Sequence, residues 1–143
     1  MKIRPYQSED RDAVIALWDE SGLLRPWNDP NLDIERKLTV QPELFLVGVD
    51  EEQKIIACAM AGFDGHRGWV NYLAVAPGKR RLSLGRKLME EAERLLKERG
   101  CPKLNLQVRT GNLEALEFYR KLGYVQDDVV SLGKRLIRDR PEE

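Results

Sequence analysis

Residues 75–89 read VAPGKRRLSLGRKLM: an apolar strand end, a basic turn, then a run with helical periodicity. Lys79, Arg80 and Arg81 set three cations just before a helix start, where the first backbone N–H groups have no intrahelical partner. Charge and free N–H groups at one spot suit a phosphate. The same features also describe a solvated basic loop capping a helix. Beyond the turn, a helix is expected over 83–99, with Leu84, Leu88, Ala92, Leu95 and Leu96 on one face and charges on the other, ended by Gly100. Residues 103–109 alternate Leu104, Leu106 and Val108 and read as a strand. Strand, helix and strand in this spacing make a β-α-β crossover, so this part of the sheet is parallel. Asn112 opens a further helix over 113–122, closed by Gly123. Residues 124–130 and 132–137 read as two last strands, followed by a charged tail over 138–143.

Towards the N-terminus, residues 69–75 alternate poorly, as expected of a strand covered on both faces. The turn Asp64-Gly65-His66-Arg67-Gly68 joins it to a strand over 54–63, and residues 50–53 join that to a strand over 44–49. These three form an antiparallel meander. His66 is either a general base or a solvated turn residue, and Asp64 carries the same two readings. Residues 3–6 form a first strand; Ser8 reads as the N-cap of a helix reaching about Glu20, with Val14, Leu17 and Trp18 on its buried stripe. The turn-rich LLRPWNDP follows, and Asp29-Pro30 reads as N-cap and first position of a helix over 31–40, with Ile34 and Leu38 inward. The order of elements predicts an α/β (α+β) domain with a mixed, mostly antiparallel sheet of about seven strands and helices on both faces.

The 143 residues suit a single domain, 1–143, with a core that needs no disulfide or metal. Lys plus Arg and Asp plus Glu number 24 each, so no net field recruits nucleic acid or an anionic membrane. Cys58 and Cys101 lie far apart and His66 is the one histidine, a pattern without metal-ligand spacing. MKIRPYQSED has no apolar leader core, and the longest apolar run, 55–61, is too short for a bilayer. A cytoplasmic protein is expected.

Two motifs make the pattern specific. Residues 80–85, RRLSLG, resemble the R/Q-x-x-G-x-G/A signature of the GNAT acetyltransferase superfamily. GNLEALEFYRKLGY resembles its N-x-x-A-x-x-F-Y-x-K-x-G-F/Y element, with Asn112, Ala115, Phe118, Tyr119, Lys121, Gly123 and Tyr124 in matching places. LLRPWNDP, DIERK, DGHRG, RGCPK and SLGKRLI further resemble the YpeA group of small bacterial acetyltransferases. Ser83 departs from the signature, standing where the superfamily usually has its first glycine; serine keeps its N–H and adds a hydroxyl.

The resemblance implies a GNAT-like fold with the fourth and fifth strands splayed, and transfer of an acetyl group from acetyl-CoA to an amine acceptor by direct attack in a ternary complex. It implies that the coenzyme A pyrophosphate sits on N–H groups of Arg80, Arg81, Leu82, Ser83, Leu84 and Gly85, with Arg86 a further cofactor-binding residue. The pantetheine arm would pair with Leu73, Ala74 and Val75 and bond to Asn112. It further implies Tyr119 as general acid towards the departing thiolate and the Leu73 N–H, or its neighbour, as oxyanion donor. Asn71, Tyr72 and Gln107 stand where many members have a base carboxylate; a water relay ending at Asp64, His66 or Tyr72, or an amine that binds already neutral, meets that need. Trp27, Asp64, His66, Tyr72, Gln107 and the turn near Ser131 are the candidate acceptor walls. No metal is expected, and exposed final strands leave a homodimer open. The alternative is a non-catalytic acyl-CoA-binding or sensing module; an oligonucleotide-binding protein would need an aromatic ladder that this basic turn lacks.

Overall fold

In the computed structural model, the described residues are 1–140, less the side chains of residues 81 and 82. The elements are β1 (Lys2–Pro5), α1 (Arg11–Glu20), α2 (Pro30–Leu38), β2 (Phe45–Val49), β3 (Ile55–Phe63), β4 (Gly68–Val75), α3 (Leu84–Glu98), β5 (Leu104–Asn105) and α4 (Leu113–Lys121), with short 3-10 turns at Ser8–Asp10, Pro42–Leu44 and Pro77–Leu82. The sheet runs β1-β2-β3-β4-β5. The first four strands are antiparallel, and β5 joins β4 in parallel after the α3 crossover.

Each sheet face carries its own core. Val14, Leu17 and Trp18 of α1 and Ile34 of α2 pack with Phe45, Val47 and Cys58 on one face. Leu88, Met89, Ala92 and Leu96 of α3 pack with Leu46, Ala57, Ala59 and Val70 on the other, where Phe118 and Tyr119 of α4 join them half-buried. The four-residue spacing of Leu88, Ala92 and Leu96 keeps one side of α3 on the sheet. No helix among the described residues is long and apolar enough to cross a membrane.

Three expectations change. The helix start is built by Asp10 rather than Ser8: Gln7 is the cap, and the Asp10 carboxylate accepts from the Gln7 N–H at 2.8 Å while gripping Arg4 at 2.7 and 3.0 Å. The Ser8 hydroxyl turns to Glu9 instead. The strand expected over 103–109 pairs only at Gly68↔Leu104 and Trp69↔Asn105, so β4 and β5 part beyond that point. The sheet therefore has five strands among the described residues, not seven. Residues 124–137 form no strand, because the β5 edge they would extend ends at Asn105. Val129, Leu132 and Leu136 accordingly stay exposed, at 76%, 90% and 86%. Apolar residues mark a chain that could bury one face; they do not supply the surface to bury it against.

Side chains fasten that C-terminal stretch. Lys103 bonds Asp127 at 2.9 Å, the Arg135 guanidinium donates to Asn28 at 2.8 Å, and the Asp139 carboxylate accepts from Arg36 at 2.6 Å and from the Asp29 N–H at 2.8 Å. Arg36 beside Asp139, together with that N–H, lowers its pKa from 3.8 to about 2. A carboxylate held below its unfolded value binds protons less well when folded, so its stabilisation is present above about 3.8 and is lost as pH falls through about 2. Asp139→Asn therefore lowers the urea midpoint at pH 7, and the gap to wild type closes as the pH approaches 2. A gap that persists unchanged in acid would refute the charge-based account.

Candidate functional site

The ladder between β3 and β4 changes step in its middle: Cys58 pairs with Ala74, but Met60 pairs with Asn71. One residue on β3, Ala59, thus opposes two on β4, Tyr72 and Leu73, which makes a bulge. Tyr72 has φ +55°, the left-handed region that side chains with a Cβ seldom enter. The consequence is a switch of parity. Val70 faces α3, so simple alternation would send Tyr72 and Ala74 the same way; after the bulge both face α1 instead, while Leu73 and Val75 face α3.

Where β4 and β5 separate, a cleft of about 420 Å³ opens. Leu73, Ala74 and Val75 form its floor, Arg80, Ser83, Gly85 and Arg86 one wall, and Asn112, Phe118 and Tyr119 of the α4 region the other. Gly85 lets these walls meet, since a Cβ there would stand 3.0 Å from Phe118 Cζ. Asn112 is the α4 N-cap, its side chain accepting from the Ala115 N–H at 3.1 Å. The Tyr119 ring meets Phe118 and Tyr124 edge-on, at centroid distances of 5.0 and 5.8 Å. Burial pushes the Tyr119 phenol up to about 12, so it remains protonated at neutral pH. Arg80 folds back so that its Nε donates to the Val75 carbonyl at 3.3 Å.

Ser83 also has a left-handed backbone, φ +60° and ψ 24°, at the N-terminus of α3, where its side chain makes no capping bond. That conformation costs a residue with a Cβ about 1–2 kcal/mol, partly offset for glycine by its greater unfolded freedom, about 0.5–1 kcal/mol. Ser83→Gly is expected to stabilise the fold by about 0.5–1 kcal/mol. Urea unfolding measures it, and a lowered midpoint would sink the strain argument.

The structure gathers most of the cofactor-side candidates in the cleft and scatters the acceptor-side ones. Leu73, Ala74, Val75, Arg80, Ser83, Gly85, Arg86, Asn112 and Tyr119 share the cleft. Leu84 is buried beneath it, and the side chains of Arg81 and Leu82 lie outside the described set. Asp64 and His66 stand in the turn at the start of β4, which is roughly 23 Å from its end at 3.3 Å per residue. There Asp64 accepts from the His66 and Arg67 N–H groups, both at 2.8 Å. Trp27 is 44% exposed, with the Arg109 guanidinium 5.7 Å from its ring centre, and Gln107 donates to the Ser131 hydroxyl at 2.5 Å. Tyr72 lies on the opposite face of the sheet from the cleft-floor side chain Leu73.

Two contributors have no sequence signal. Ser21, at the end of α1, lines the cleft, and its Oγ is buried without a hydrogen-bond partner among the described residues. Asp33 accepts from the Tyr72 hydroxyl at 2.5 Å across 39 residues of sequence. No spacing rule links a helix position to a strand so far downstream.

A splayed parallel pair, a basic turn leading into a helix, and a phenol facing both across a cleft are the arrangement that the GNAT resemblance implies. The sequence profile described as the acetyltransferase (GNAT) family matches residues 11–124, and the chain belongs to that family. An acetyltransferase of Pectobacterium atrosepticum is 47% identical over 140 residues, covering 98% of this chain and 99% of its own. Among solved structures, Ard1 from Thermoplasma volcanium superposes with a TM-score of 0.75 at 27% identity, covering 87% of this chain and 82% of its own. The NatC complex bound to Gag peptide and CoA shares the fold at a TM-score of 0.76 and 23% identity, covering 90% of this chain and 87% of its own.

Proposed function

We propose that the chain is a single-domain N-acetyltransferase, residues 1–143, that moves an acetyl group from acetyl-CoA to a primary amine by direct attack in a ternary complex. The cleft joining Leu73–Val75, Arg80, Ser83, Gly85, Arg86, Asn112 and Tyr119 carries this reading. Its donors fit the cosubstrate. N–H groups at the start of α3 and the Arg80 and Arg86 guanidinium groups would hold the pyrophosphate, where the helix dipole adds about 0.3–1 kcal/mol. A bulge leaves ladder groups unpaired, so the backbone at Leu73 would serve both the pantetheine arm and the oxyanion. The orphaned Ser21 Oγ supports the same reading, because a buried hydroxyl without a partner costs about 1–3 kcal/mol, which a polar group arriving in the cleft would recover.

The thioester supplies the activated acetyl group. Tyr119, protonated and partly buried, would donate its proton to the departing sulfur. Calorimetric titration with acetyl-CoA, followed by thiol-release assays over amines and peptides, tests the proposal. Saturable binding with turnover is expected. Binding without turnover across the panel would favour an acyl-CoA-binding module, and the absence of binding would reject the cleft as a coenzyme A site.

A further inference from the structure

We infer that the proton of the incoming amine is taken by a Tyr72–Asp33 pair on the α1/α2 side of β4, with Tyr72 touching the amine and Asp33 acting through it as a positioning and proton-accepting residue. The inference rests on the acetyltransferase reading above.

An amine at neutral pH arrives as an ammonium ion and must lose a proton before it can attack. The carboxylate lining the cleft, Glu114, belongs to the first turn of α4, beside Asn112 on the wall assigned to the cosubstrate. Asp64 and His66 stand at the far end of β4. With α3 and α4 flanking the cleft, the face left for an acceptor at the splay is that of α1 and α2. The bulge turns Tyr72 to that face. Its ring lies on Trp18 at a centroid distance of 3.9 Å and an interplanar angle of 14°, which fixes where the hydroxyl points. That hydroxyl donates to Asp33 Oδ2 at 2.5 Å, and the Asp33 side chain remains 22% exposed.

The charges around the phenol are Asp33 from α2, Asp139 from the C-terminal stretch and Arg25 from the segment after α1. Arg36 stands 3.5 Å from Asp33 but is held more closely by Asp139, at 2.6 Å. Burial and Asp33 both push the phenol well above its usual range, so it does not ionise by itself. It can accept the ammonium proton only while passing its own to Asp33. The neutral nitrogen then forms its bond to the carbonyl carbon, the C–S bond breaks, and the electron pair leaves on sulfur. Tyr119 protonates that sulfur and is restored by the second nitrogen proton, while Asp33 releases the first to water. The sum is ammonium plus thioester giving amide, thiol and one proton.

Asp33→Asn separates chemistry from structure, because an amide oxygen still accepts from the Tyr72 hydroxyl but cannot take its proton. The assay is thiol release from acetyl-CoA with an equimolar pool of tetrapeptides that carry a free α-amine and vary at the first residue. At pH 6.5, Asp33→Asn and Tyr72→Phe are each expected to lower kcat by about 10²–10⁴-fold, with the acetyl-CoA Kd and the melting temperature close to wild type. At pH 9.5 the α-amine, of pKa about 7.7–8.0, arrives neutral, so the Asp33→Asn defect shrinks at least tenfold; Asp33→Glu restores part of the rate at pH 6.5. A kcat for Asp33→Asn equal to wild type, or a defect that does not change with pH, overturns the inference and leaves the acetyltransferase reading standing. Wild-type protein that binds acetyl-CoA in the calorimeter yet acetylates neither this pool nor any amine of the panel above overturns both the inference and the catalytic reading; where a panel amine alone is acetylated, the same variants are compared on that amine below and above its pKa. Wild type that fails to bind overturns the cleft assignment itself.

Discussion

Tyr119→Phe is expected to lower kcat by about 10²–10⁴-fold, the usual worth of a positioned proton donor, while leaving acetyl-CoA affinity within about threefold, below the 1.4 kcal/mol that a tenfold change represents. The expectation comes from what the hydroxyl does and does not touch. Among the described residues it makes no hydrogen bond, whereas the ring packs edge-on against Phe118 and Tyr124. Phenylalanine keeps the ring and both contacts, so the melting temperature stays close to wild type. Only the proton is removed. With the phenol pushed up to about 12, wild type has Tyr119 protonated throughout the working range, and the defect should be flat between about pH 6 and pH 10. Steady-state thiol release at saturating cosubstrate, paired with calorimetry, measures both quantities. An unchanged kcat would remove Tyr119 from the chemistry, and a large loss of affinity would recast it as a binding residue.

What was legible in the sequence was whatever is encoded within a helix turn or a strand length. The turn before α3, the stripe of Leu88, Ala92 and Leu96, and the Asn112 cap are local patterns, and the structure has them within a residue or two. The two motifs were legible as a pair, and the cleft joins most of their residues. The bulge was not, because Asn71, Tyr72 and Leu73 contain no glycine to announce a left-handed residue. Strand parity therefore reads wrongly across it, and Tyr72 could be named as an acceptor-side candidate without its partner Asp33. Ser83 is the converse case: its place in the motif marks a glycine position, and its left-handed φ shows the physical demand that makes it one. Residues 124–130 and 132–137 were read as two last strands from their place after α4. Pairing needs an edge as well, and the β4–β5 pairing that would extend the sheet ends at Asn105. The opening that ends the pairing is the same opening that makes the cleft.

Trp18→Ala should be the most costly single change for stability, about 3–5 kcal/mol out of the 5–15 kcal/mol typical of a domain. Trp18 has no exposed surface, stacks on Tyr72, lies against Phe45 at 6.4 Å, and donates its indole N–H to Cys58 Sγ at 3.2 Å. Alanine leaves a cavity between α1 and the middle of the sheet, where close packing allows little collapse. Trp18→Phe keeps an aromatic body and gives up a bond to a weak sulfur acceptor, so its cost should be smaller, about 1–2 kcal/mol. Urea unfolding of the two variants gives the ordering. The functional consequence goes further than the stability loss. Tyr72 holds a left-handed backbone that its surroundings must enforce, and Trp18 is the flat surface pressing on its ring. Under conditions where Trp18→Ala remains folded, Tyr72 loses that constraint and its hydroxyl no longer has one fixed partner. Turnover per folded molecule should therefore fall about tenfold or more, the scale on which a displaced reacting group loses rate, while acetyl-CoA affinity changes little, because Ser21, just after α1, lines the cleft and Trp18 does not. Full turnover per folded molecule would mean that the stack serves the core alone and that the bulge holds Tyr72 unaided.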